Sequence, residues 1–211
     1  MSECILCHKK GVFVHTSSDG LCHTCAQNYQ IDIDTGIIFS KEEQDYADNK
    51  AQGMWHQNLI GDRIVDMNCL KLQGIASYAI SSKQYDLAKR LLALSEARAT
   101  NEVDLHFCYN WWIKLLYMQR EKKECLMKCI EYCKKDIYLW ETVSCDPFFK
   151  GHETVVPSFT QLAIIYEKAG NYSEAIKINE LALSYGTISR HDSYKKRIAR
   201  IRNKLNASTI T

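Results

Sequence analysis

Cys4, Cys7, Cys22 and Cys25 stand as two Cys-x-x-Cys pairs separated by fourteen residues. No other feature constrains the start of this chain as tightly. Each Cys-x-x-Cys turn aims two sulfurs at one point, and two such turns complete a tetrahedron of thiolates around a zinc ion. The intervening sequence suits that geometry. Residues 11–16 (GVFVHT) read as a strand, and Ser17-Ser18-Asp19-Gly20 reads as a turn delivering Leu21 and the second pair. Ala26 to Tyr29 then reads as a short helix or turn. A segment this short cannot bury enough apolar surface to offset its chain entropy, whereas zinc contributes about 10–16 kcal/mol. Four thiolates also close the coordination sphere, so the expected metal is structural, with no open position for a reacting water.

Two rival readings of the first pair fare worse. Cys4-Ile5-Leu6-Cys7-His8 matches a haem-attachment pattern, but that leaves Cys22 and Cys25 without a purpose. A redox pair would sit in a βαβ context, and the flanks supply none. His8, His15 and His23 could each replace a cysteine, yet four thiolates already satisfy the ion, so these histidines read as surface or supporting groups. Residues 1–30 resemble a treble-clef or zinc-ribbon finger, the subtype being left open by spacing and flanks.

From Ser40 onward the pattern turns helical. Ser40-Lys41-Glu42-Glu43 is a capping box and predicts a helix start. Tyr46, Ala47, Met54, Trp55 and Leu59 follow with loose periodicity, so residues 31–62 read as a linker and first helix. The clearest segment is FTQLAIIYEKAGNYSEAIKINELALSYG, from Phe159 to Gly186. Leu162, Ala163 and Tyr166 share one helix face, Gly170-Asn171 supplies a turn, and Ala175 and Ala182 permit close approach of a second helix. With Phe159, Tyr172 and Leu183, these positions resemble the tetratricopeptide repeat. Leu72, Ile75, Ala76, Ala79, Tyr85, Ala88 and Leu92 fit the same frame, as do Tyr109, Trp112, Ile113, Leu116, Cys125 and Cys129. The anchors Ala88, Cys125 and Ala175 are 37 and 50 residues apart, against about 34 in the regular repeat. The excess places an insertion around residues 140–152.

The resemblance implies a mainly α architecture: an α-solenoid of helix pairs over residues 63–211, joined to a small N-terminal zinc-binding module. Members of that family commonly hold peptides against first-helix residues. The same frame puts Gln73, Ser77 and Ile80, then Asn110, Lys114 and Tyr117, then Thr160, Ile164 and Glu167 on the groove. Asn110 and Lys114 resemble part of a clamp that some members use for a terminal carboxylate. Tyr194, Ile198, Ile201 and Leu205 form one apolar stripe, as a C-terminal capping helix requires.

Composition and charge narrow the function classes. Hydrophobic residues make up 46% and charged residues 25%, ordinary for a soluble globular chain. No apolar run approaches about eighteen residues, and the first residues show no secretory signal, so no membrane partner is expected. Ten cysteines in a chain of this length, six of them in helix-like sequence, point to a reducing, cytoplasmic setting. Cys125, Cys129 and Cys133 recur every four residues and read as small core residues. Trp112 falls on a core position, leaving Trp111 at a seam or on the surface.

No nucleotide-binding, metalloprotease or hydrolase signature is present, so a non-catalytic chain is expected. Between Arg190 and Lys204 seven Lys/Arg face one Asp, a local charge of +6 in a chain of net +2. The leading expectation is therefore an adaptor gripping a protein or peptide. The alternative is a nucleic-acid-binding regulator that uses the finger and a basic last helix, with Lys196, Arg200 and Lys204 on phosphates. The finger itself carries only Lys9 and Lys10, which weighs against that alternative.

Overall fold

The computed structural model describes residues 2–11, 14–52, 62–150, 153–185, 188–189 and 191–208. The chain divides into two compact units, Met1–Ala99 and Thr100–Thr211. That division falls elsewhere than the sequence boundaries at 30 and 62, because the N-terminal module and the first helix pair belong to one unit.

In the first unit, β1 (Ser2–Glu3) pairs antiparallel with β2 (Lys10–Gly11), closing a hairpin over Cys4 and Cys7. Residues 12 and 13 of the expected strand lie outside the described residues. Thr16 bridges to Cys22 across the Ser17–Gly20 turn, where the Gly20 N–H donates to the Ser17 carbonyl at 2.9 Å. Gly20 has φ +72°, and a Cβ there would meet the Ile5 side chain at 3.2 Å, so both the turn and the close approach favour glycine. Helix α1 (His23–Ala26) follows at once, three residues earlier than the expected helix or turn.

Residues 29–40 correct the expectation of a linker. β3 (Tyr29–Ile31) and β4 (Ile38–Ser40) form an antiparallel hairpin. Asp32 folds its turn: its Oδ1 accepts from the Thr35 N–H at 2.9 Å and from the Thr35 hydroxyl at 2.7 Å. The capping box is present as expected. The Glu43 N–H donates to Ser40 Oγ at 3.3 Å, and Glu43 Oε2 accepts from the Ser40 N–H at 3.0 Å. It opens α2 (Lys41–Gln52). Met54, Trp55 and Leu59 lie outside the described residues.

A 3₁₀ turn (Ile64–Asp66) leads to α3 (Cys69–Ser81) and α4 (Tyr85–Ala97), which pack as a helical hairpin. Asn68 caps α3 by accepting from the Lys71 N–H at 3.0 Å. Of the apolar positions expected here, Leu72, Ile75, Ala76, Ala79, Ala88 and Leu92 are buried and Tyr85 is half-buried, while Leu87 and Leu91 are buried as well. Charged pairs join the preceding segments to this part of the chain: Asp19 to Arg63 ahead of the 3₁₀ turn, Glu43 of α2 to Arg90 of α4, and Asp32 of the β3–β4 turn to Arg98 at the end of α4. Arg98 also donates to the carbonyls of Val65 and Met67, so one guanidinium joins the β3–β4 turn to the 3₁₀ segment.

The second unit holds two further helical hairpins and a last helix. They are α5 (Glu102–Met118) with α6 (Lys123–Val143), α7 (Pro157–Lys168) with α8 (Tyr172–Ser184), and α9 (His191–Ser208). Asn101 caps α5 through the Asp104 N–H at 2.9 Å, and Pro157 occupies the first turn of α7. Gly170, at φ +77°, turns the chain between α7 and α8. Phe159, Leu162, Ala163, Ala175 and Ala182 are buried as the sequence pattern requires. Of the extra residues expected around 140–152, 140–143 continue α6 to its end at Val143, and 144–150 follow as turns. There Trp140 and Val143 pack with Phe149, Val156 and Phe159 in one core cluster.

Candidate metal centre and groove

The four cysteine sulfurs converge as the spacing required. Their Sγ atoms all lie within 4.8 Å of one another, and those of Cys7 and Cys22 are 3.7 Å apart. Thiolates bound at about 2.3 Å to a central ion form a tetrahedron with edges of roughly 3.8 Å, so the donor set fits a metal of that kind. The first pair sits on the β1–β2 knuckle and the second on the entry to α1. The Cys22 N–H donates to Cys4 Sγ at 3.3 Å. Hydrogen bonding from the Cys22 and Cys7 amides outweighs burial and lowers the Cys4 thiol to about 6. Burial and the three neighbouring sulfurs push Cys25 up to about 12. Four sulfurs crowded without a cation cannot all ionise, and a dication at their centre reverses that penalty. Among the described residues this is the one group of His, Cys, Asp and Glu with metal-ligating convergence. His8 instead faces Glu3, its Nδ1 being 3.4 Å from Oε1.

The residues expected on a groove separate into three sets. Asn110, Lys114 and Tyr117 do meet, with Trp111 and Met118 of α5 and Pro157 and Gln161 of α7, around a mainly apolar cleft of about 480 Å³. The Lys114 ammonium lies 4.8 Å from the centre of the Trp111 ring and covers its face. Gln73 is corrected: it is buried on α3, its Nε2 lying 3.0 Å from Cys69 Sγ, and Ile80 beside it is also buried. Neither offers a surface contact.

Thr160 and Glu167 are also corrected, because α9 already engages them. Thr160 Oγ1 lies 3.0 Å from the Tyr194 hydroxyl, and Arg197 donates to the Thr160 carbonyl at 3.1 Å. Glu167 accepts from Arg200 at 2.6 Å and from Lys204 at 2.7 Å. Burial opposes ionisation of Glu167, but these two cations hold its carboxyl below the usual range. Tyr194, Ile198 and Ile201 are buried as a capping stripe requires, while Leu205 is exposed. Two of the three expected phosphate contacts, Arg200 and Lys204, therefore spend charge on Glu167, and Arg202 pairs with Glu180 at 2.8 Å. Lys196 is exposed, and the structure gives it no ion pair among the described residues.

A buried polar network behind the cleft escaped the sequence reading. His106 Nδ1 lies 2.7 Å from Asp136 Oδ1, both side chains are sealed from solvent, and Asn110 Nδ2 is 3.2 Å from His106 Nε2. The signal available was a polar residue on the apolar face of each helix, which alone does not name its partner. Cys125, Cys129 and Cys133 are buried as expected, and contact with Cys129 followed by burial pushes the Cys133 thiol up. Trp112 stacks on Tyr132 at 5.2 Å. No helix among the described residues is long and apolar enough to cross a membrane. No family model, curated protein or solved structure matches this chain.

Proposed function

We propose that the chain is a non-catalytic adaptor, built of tetratricopeptide-type helix pairs, that takes a peptide segment of a protein partner in the α5–α7 cleft. The observation that carries this reading is the cleft itself. It is apolar, open, lined by Met118 and Pro157 rather than by reactive groups, and edged by Asn110, Lys114 and Tyr117. Such a lining buries one or two apolar side chains and leaves few polar groups to orient the peptide backbone. Three helical hairpins and a terminal helix with a buried stripe support the repeat assignment.

In the same reading Cys4, Cys7, Cys22 and Cys25 hold one zinc ion in a structural role. The ion supplies folding free energy to a module whose apolar core is only a small cluster around Leu21, and no step of chemistry runs through it. Asp19 of that module pairs with Arg63 ahead of the 3₁₀ turn, and Asp32 and Glu43 of the segment that follows the module pair with Arg98 at the end of α4 and Arg90 on it, the contacts a folded end cap needs. The nucleic-acid alternative is weakened by Glu167 and Glu180, which occupy three of the basic side chains of α9.

Panning a random peptide library on the folded full chain tests the adaptor reading. Enriched peptides should bind the native chain and lose binding to Met118→Glu, which places a charge in the cleft at a solvent-exposed position. No enrichment, or enriched peptides indifferent to that substitution, would contradict it.

A further inference from the structure

The α5–α7 cleft does not end at Gln161. Pro157, Gln161, Ile164 and Lys168 recur along one face of α7 at helical spacing. The first two line the apolar cleft, and the last two line a second depression of about 500 Å³ shared with α9. Tyr117 and Lys168 join the two walls, the ammonium donating to the phenol oxygen at 3.2 Å. The second depression is cationic: Lys168, Arg197, Arg200 and Lys204 line it against one carboxylate, Glu167. Arg197 and Arg200, with Ser193 and Lys196, continue it into a further depression of about 430 Å³.

Resting on the adaptor reading, we propose that these depressions form one site for an acidic peptide. An apolar side chain enters the α5–α7 cleft, and internal Asp or Glu side chains lie on the cations of Lys168, Lys196 and Arg197. The charge balance carries the argument. Glu167 faces both Arg200 and Lys204, while Lys196 and Lys168 have no carboxylate among the described residues. Burial first, then the neighbouring Arg200 cation, lower the proton affinity of Arg197 against the opposing pull of Glu167.

Spacing follows from the helix. Gln161 to Lys168 spans about 10 Å at 1.5 Å per residue, which an extended peptide covers in about three residues. A peptide suits the site better than a nucleic acid. The Trp111 face is covered by Lys114, and the Phe107 ring meets the edges or faces of Phe148 and Phe149, so neither offers a free stacking platform for bases.

The test uses fluorescein-labelled, C-terminally amidated peptides of about twelve residues, carrying two leucines, a spacer of about three residues and four glutamates, in both orders. Amidation removes the terminal carboxylate, so only internal acids can act. Anisotropy titrations on the full chain should show the better order binding about tenfold more tightly than its glutamine counterpart, because charge-assisted hydrogen bonds are lost in the latter. Lys196→Glu should weaken the glutamate probe and leave the glutamine probe unchanged, and Met118→Glu should weaken both. Both substitutions sit at exposed positions, and unchanged far-ultraviolet circular dichroism would confirm the fold. Equal binding of the two probes, both lost in Met118→Glu, would overturn the acidic preference while leaving the adaptor reading in place. Failure of both probes to bind, or displacement by a single-stranded DNA oligonucleotide that itself binds Met118→Glu as well as the native chain, would overturn the proposal outright.

Discussion

The imidazole of His106 on α5 and the carboxylate of Asp136 on α6 meet at 2.7 Å with both side chains closed to solvent. With Nδ1 donating to the carboxylate, Nε2 is left to accept from Asn110, which lines the cleft. The pair thus couples the packing of the α5–α6 hairpin to the position of a cleft residue. Removing one partner strands the other in a dry core. His106→Ala should therefore destabilise the chain by about 3–5 kcal/mol. The double change His106→Leu, Asp136→Leu should recover much of that loss, because two apolar groups leave no unpaired charge. Urea unfolding of the two variants beside the native chain measures both numbers. A single variant as stable as the native chain would show that the pair contributes nothing.

Thiol chemistry separates the four clustered cysteines from the other six. Cys69, Cys108, Cys125, Cys129 and Cys133 are buried, whereas Cys145 is exposed. In zinc-loaded native protein, a chromogenic disulfide should react quickly with Cys145 alone. Chelation should then release about one zinc per chain and expose Cys4, Cys7, Cys22 and Cys25. Affinity for the ion should rise with pH, since bound thiolates must first lose their protons and Cys25 holds its own up to about 12 in the metal-free cluster. Cys22→Ser should abolish stoichiometric binding. Full zinc in Cys4→Ser, Cys7→Ser would place the metal elsewhere.

Acid should loosen the first unit through Asp32. Burial works against its ionisation, but the Thr35 hydroxyl and amide, with Arg98, hold the carboxyl below its ordinary value of 3.8. A carboxyl depressed on folding contributes stability that is fully present above its unfolded value. That contribution is lost as pH falls through 3.8 toward the lower folded value. Arg98→Ala should cost about 3 kcal/mol at neutral pH, leaving a buried carboxylate without its cation. It should also flatten the acid dependence. Amide exchange across the β3–β4 hairpin reports both effects, and an unchanged acid profile in that variant would remove Arg98 from the account.

What the sequence disclosed follows from how local each signal is. The Ser40–Glu43 box, the Gly170 turn and the Cys-x-x-Cys pairs are made by neighbours in the chain, and all three take the expected geometry. The β3–β4 hairpin was missed because strands of three residues give too little alternation. Its turn signal, Asp32 followed by Thr35 and Gly36, was nevertheless present. Gln73, Thr160 and Glu167 were misplaced for a different reason. A helix face is set by periodicity, but what covers it is set by distant segments, here α9 over Thr160 and Glu167. The His106–Asp136 pair, thirty residues apart, belongs to the same class.

The central claim is that a peptide occupies the α5–α7 cleft, and the methionine methyl groups provide the most direct measurement. Met118 is 43% exposed at the cleft, Met127 is 59% exposed on α6 away from the cleft lining, and Met67 is buried in the first unit. With methyl-labelled methionine, titrating the full chain with the leucine–glutamate probe should move the Met118 resonance to a saturating position. Met127 and Met67 should stay in place. A saturable shift of Met127 with Met118 unmoved would contradict the account.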